Sequence, residues 1–143
     1  MEDDGCIRKF ESGATRDTAQ DKLDYEGFLD PVVLEAYARY MHFNRQLSDG
    51  SFRDSENWQK GFGLATLMKS LLRHVFDLWD WHRQKIAPKH ARAKGFQNPM
   101  QAACGILFNT MAYMRELMIE DPEAVNTMLR VAELARAQQR RKA

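Results

Sequence analysis

Arg73, His74 and Asp77 fall inside KSLLRHVFDLWDWH, residues 69–82, whose other residues spell an apolar helix. A guanidinium, an imidazole and a carboxylate this close can pair with an anion, move a proton or offer an oxygen ligand to a metal. On a helical wheel Leu67, Leu71, His74 and Leu78 share one stripe, and Ser70, Arg73 and Asp77 share the next. The polar group therefore stands at the margin of the buried face. Arg73 and Asp77 are four residues apart and His74 and Asp77 three, so their side chains are neighbours on the helix surface. An intrahelical ion pair that orients an ordinary histidine accounts for the same spacing. Asp80 and His82 are peripheral, and His82 stands where it complements the helix dipole.

Two other apolar stretches are interrupted in the same way, by Glu35 in PVVLEAYARYM and by Asn109 in GILFNTMAYM. If their helices pack against residues 69–82, Glu35, His74, Asp77 and Asn109 meet at one depth. Glu35 and Asp77 would then supply oxygen ligands for Mg²⁺, and His74 would orient water or substrate. A buried hydrogen-bond network that fixes helix register uses the same residues equally well. The loop NWQKGF adds Trp58, a flat surface for a nucleobase, and Lys60, a partner for phosphate. A tryptophan that simply covers the bundle is the plain alternative. In SGATRDTAQDKLDYEGF, Arg16 and Lys22 could wrap a polyanion, or the segment could carry no order of its own. No Walker-type loop, G-x-S-x-G elbow, H-E-x-x-H or paired C-x-x-C occurs.

The elements that must position these residues read as helices. Asp30-Pro31 and Asp121-Pro122 each place a capping side chain before a proline at the first helical position. They open helices over about 31–45 and from 122. Period-three-and-four apolar residues mark a long helix over about 62–85, and another starts near Pro99 with Ala102, Ala103, Gly105 and Ala112 allowing close approach. The expected architecture is an all-α bundle of about four helices. A long irregular N-terminal arm (1–28) precedes the helical domain (29–135), and a basic tail (136–143) follows.

At 143 residues this is a one-domain length. Lys and Arg number 21 against 20 for Asp and Glu, so no global field directs the chain to nucleic acid or an anionic membrane. Arg136, Arg140, Arg141 and Lys142 are explained by a solvated helix end. Cys6 and Cys104 form neither a disulfide framework nor a metal finger, and Cys104 reads as a small core residue. The first residues lack the order of a secretory signal, and no apolar run is long enough to span a bilayer. A cytoplasmic protein is the expectation. Apolar surface left uncovered around an open site is compatible with a homodimer.

The ordered motifs SGATRDT, DKLDYEGFLDPVVLEAYARYM, DSENWQKGF, SLLRHVFDLWDWH and AACGILFN resemble the dATP/dGTP diphosphohydrolase N-terminal domain family, found mostly in bacteriophage proteins. The resemblance covers roughly residues 8–118. More distantly the chain is similar to the all-α MazG-type nucleotide pyrophosphohydrolases. Where those carry E-x-x-E and E-x-x-D pairs, this chain has Glu35 with Ala38 and His74 with Asp77. Taken with the residues above, the resemblance implies a Mg²⁺- or Mn²⁺-dependent hydrolase that converts a purine deoxynucleoside triphosphate to monophosphate and pyrophosphate. Its site of action would be the host cytoplasm. Glu35 and Asp77 would hold metal and His74 would act on water. Arg16, Lys22, Lys60 and Arg73 would neutralise phosphates, Trp58 would border the base, and Asn109 would orient ligand or histidine. A non-catalytic module that binds a nucleotide or a protein is the alternative.

Overall fold

A computed structural model describes residues 7–17, 23–86 and 98–142. Cys6, Lys22 and most of the basic connection between the second and third long helices lie outside the described residues. The chain divides into two compact units, residues 1–34 and 35–143, and the boundary runs through a helix.

The first unit holds an antiparallel hairpin, β1 (Ile7–Lys9) and β2 (Thr15–Asp17), with Ile7 opposite Asp17. Gly13, at φ 81°, makes the turn that an L side chain would strain. One turn of helix, α1 (Tyr25–Phe28), follows, and Asp24 caps it by accepting from the Gly27 amide at 2.8 Å. Within the described residues of the arm, a hairpin and a helical turn thus form where the sequence shows no sustained period. Two three-residue strands leave the all-α class unchanged.

Helix α2 (Pro31–Asn44) starts as its sequence dictates. Asp30 Oδ1 accepts from the amides of Val32 (2.8 Å) and Val33 (3.2 Å). In the second unit the chain leaves α2 through a turn at residues 45–53 and a 3₁₀ turn at Asn57–Lys60. It then forms α3 (Leu64–Ile86), α4 (Pro99–Glu120) and α5 (Pro122–Lys142). Asn98 caps α4 and Asp121 caps α5, each accepting a backbone N–H at 2.9 Å. Helix α5 runs on through the basic tail as far as Lys142. Ala, Gln and Arg are strong helix formers, so nothing in AQQRR stops it.

The principal contact is α3 on α4. Glu116 of α4 meets the entry to α3 at Phe62, while Gly105 meets His74, so the two helices run antiparallel. Among the described residues the buried positions between and beside them are Leu67, Ala102, Cys104, Gly105, Asn109 and Ala112. On the opposite side of α3, Met68, Leu72, Val75, Phe76 and Trp79 form an apolar stripe exposed by 36–56%. Among the described residues no helix is long and apolar enough to cross a membrane.

Candidate functional site

The α3–α4 contact is close at Gly105 and His74. A Cβ built on Gly105 would stand 2.7 Å from Cγ, Cδ2 and Cε1 of His74. Equal distances to three ring atoms place the face of the imidazole flat on the glycine. Only a residue with no side chain lets α4 approach α3 this closely here. One turn along, buried Asn109 donates from Nδ2 to the Gly105 carbonyl at 2.7 Å, so its amide is fixed to the same backbone. His74 Nδ1 is buried and has no hydrogen-bond partner among the described residues. Packing, rather than a hydrogen bond at that nitrogen, sets the ring's orientation. Burial pulls the His74 pKa below its ordinary value; the nearby Asp77 carboxylate opposes this and the Arg73 guanidinium adds to it.

The loop before α3 is fastened to α4. Glu116 Oε1 accepts from the amides of Phe62 (2.8 Å) and Gly63 (3.2 Å), satisfying two donors at the helix entry. Gly61 and Gly63 take the positive φ values, 91° and 80°, that this approach needs. Trp58 and Phe62 both set their rings edge-on to Phe108 of α4, at 6.5 and 6.2 Å between centroids. The Arg115 guanidinium lies 5.7 Å from the Trp58 ring centre. Trp58 is therefore held between an aromatic and a cation.

The turn after α2 supplies two more cations. Leu47 donates to the Ser51 carbonyl at 2.8 Å and Arg53 to that of Arg45 at 3.0 Å. Asp49 Oδ1 accepts from Ser51 N at 2.9 Å. Arg45 Nε donates to the Arg53 carbonyl at 2.7 Å, and its guanidinium lies over Phe52. Arg53 reaches the Asn44 carbonyl at 3.3 Å.

These elements enclose a cleft of about 360 Å³. Trp58, Phe62, Phe108, Tyr40, Met41 and Leu67 supply its apolar lining, while Arg45, Arg53, Arg73, His74, Asn109 and Ser70 supply polar groups. Flat apolar walls with a few convergent polar groups suit a small ligand that has an aromatic part and negative charge. A second hollow of about 600 Å³ adjoins it, lined by Arg45, Asp54, Ser55, Glu56, Gln59, Lys60 and Arg115.

Four residues singled out from the sequence, Trp58, Arg73, His74 and Asn109, thus share one lining, and Lys60 lies in the adjoining hollow. Glu35 stands apart from that lining, exposed on α2, its carboxylate 2.6 Å from the guanidinium of Arg39. Asp77 is outside the lining and is felt at His74 through its charge. Arg16 lies in β2 of the first unit with its side chain outside the described residues, as is all of Lys22. Among the described residues no three His, Cys, Asp or Glu side chains group as a metal site. The donors among the described residues do not by themselves make up a preformed Mg²⁺ or Mn²⁺ centre. Arg45, Arg53 and Phe108 are cleft residues the sequence reading passed over. The RQLSDGSFR stretch carries a signal for the first two, since a turn centred on SDG returns the arginines at its ends to each other.

Compared with known proteins, the chain matches no family model, no curated protein and no solved structure.

Proposed function

We propose that the cleft binds a purine deoxynucleoside triphosphate and that the reaction is hydrolysis to the monophosphate and pyrophosphate. One observation carries the reading. A single cleft gathers an aromatic wall, three arginines, a desolvated imidazole and a buried amide. A base stacked at Trp58 and Phe108 gains from their flat faces, and phosphate oxygens pair with guanidinium groups. In the reaction, water adds to the α-phosphorus and the bond from that phosphorus to the bridging oxygen breaks. Pyrophosphate leaves, and the proton of the water passes to His74, which burial favours in its neutral form. Mg²⁺ or Mn²⁺ belongs to this reading only as the counterion the triphosphate brings. A bacteriophage origin and action in the host cytoplasm rest on the motif resemblance.

Binding without turnover is the second reading, favoured by the lack of a three-donor group among the described residues. Incubation with each deoxynucleoside triphosphate in Mg²⁺ or Mn²⁺, with products separated by anion exchange, distinguishes them. Monophosphate and pyrophosphate in equal amounts support hydrolysis. Saturable binding with intact nucleotide supports the second reading, and neither binding nor turnover contradicts both.

A homodimer through α3 completes the proposal. Four of the five stripe residues are symmetric about the Arg73–His74 bond, so an antiparallel second copy would set Met68 against Trp79 and Leu72 against Val75. Five half-exposed side chains of this size bury on the order of 1,000 Å² over both copies, the threshold for a specific interface.

A further inference from the structure

The adjoining hollow differs in character from the cleft. Its cations are Arg45, Lys60 and Arg115, and among the described residues no aromatic side chain lines it. The two spaces join along Arg45, Asp54 and Ser55, which line both. Trp58 lines only the cleft and Arg115 only the hollow, yet the guanidinium sits 5.7 Å from the indole ring centre. The Trp58–Arg115 pair thus links the two linings. A ligand that stacks on Trp58 has a cationic opening beside it. Asp54 and Glu56 share the hollow, so net charge attracts an anion only mildly. Placement of the three cations, rather than the sum of charge, must select what enters.

We propose that this hollow is the subsite for the phosphate tail, with Lys60 and Arg115 contacting the terminal phosphates and Arg45 standing at the junction. The proposal rests on the nucleotide reading of the cleft and adds to it a direction: base against Trp58 and Phe108, tail outward past Arg45. It assigns a binding role to Arg115, whose position on α4 gives no signal in the sequence. Arg73 and His74, which line only the cleft, then face the inner part of the ligand, where the α-phosphate joins the sugar. Charge-assisted contacts to successive phosphates make affinity rise with their number.

The test is calorimetric titration of deoxyadenosine, dAMP, dADP and dATP into the wild-type protein, Lys60→Ala, Arg115→Gln and the double variant. Circular dichroism establishes that each variant is folded. Lys60 is exposed and outside the core, so its variant keeps the test decisive if Arg115→Gln loosens Trp58. Wild-type affinity should rise from dAMP to dATP. Loss of one cation should weaken dATP about tenfold, the effect of one charge-assisted contact, and leave dAMP within about twofold. Equal dATP affinity in wild type and double variant overturns the subsite while leaving the nucleotide reading intact. If none of the four ligands binds the wild-type protein, the nucleotide reading fails and the subsite with it.

Discussion

Replacing Gly105 with alanine perturbs the point where the helices meet. The new methyl would lie 2.7 Å from three atoms of the His74 ring, about an ångström inside ordinary carbon contact. The ring is partly buried and lies flat on the backbone, so relief requires it to leave its position or α4 to move away. Overpacking of this kind costs about 1–3 kcal/mol. In the same helix, alanine in place of glycine returns about 1 kcal/mol of propensity. The net expectation is a loss of up to about 2 kcal/mol, a drop in melting temperature of up to roughly 6 °C for a chain of this length. Urea unfolding of four proteins isolates the cause: wild type, Gly105→Ala, His74→Ala and the double variant. With His74 removed the clash disappears, and Gly105→Ala should stabilise by about 0.5–1 kcal/mol. The coupling between the two positions is then the overpacking term itself, about 1–3 kcal/mol. Equal effects of Gly105→Ala in both backgrounds would refute the ring-on-glycine contact.

Four other outcomes follow from the same geometry. Glu116→Gln keeps the shape but removes the charge that holds two loop amides, and should cost about 1 kcal/mol in urea unfolding and weaken nucleotide binding by loosening the Trp58 loop. Asn109→Leu leaves the packing nearly filled but ends the bond to the Gly105 carbonyl, so about 1–3 kcal/mol of stability should be lost, read by thermal unfolding. Because His74 has a lower pKa folded than unfolded, the unfolded chain binds its proton first, and stability should fall as pH drops below about 6.5 until the folded pKa is passed. His74→Gln should flatten that part of the pH dependence of the urea midpoint; an unchanged profile assigns it to other groups. Trp79→Glu should convert a dimer to a monomer in sedimentation, and a wild-type protein that is monomeric at high concentration contradicts the α3 pairing.

Three of the helices were legible because their starts are written locally. Asp30-Pro31, Asn98-Pro99 and Asp121-Pro122 place a cap and a proline together, and the structure starts a helix at each proline. The stripe of His74 and the small residues around Gly105 also follow from period alone. What period could not give is which polar residue faces which neighbour. Glu35 and Arg39 are four apart on α2, and the exposed helix surface satisfies both without help from another element. The place of Arg45 and Arg53 in the cleft escaped because both act through non-local carbonyls, which no helical period encodes. Similarly, Glu116 lies 54 residues from the amide it holds. Such a pairing exists only once α3 and α4 are antiparallel.

The most direct measurement is dATP binding to the wild-type protein and to Trp58→Ala by titration calorimetry. A nucleotide cleft predicts one saturable site per chain. The exchange should weaken dATP by about 1–3 kcal/mol, the worth of one base stacked on an aromatic ring. It should leave inorganic tripolyphosphate binding much less affected. No saturable heat at millimolar dATP, or equal affinity in the two proteins, would contradict the account.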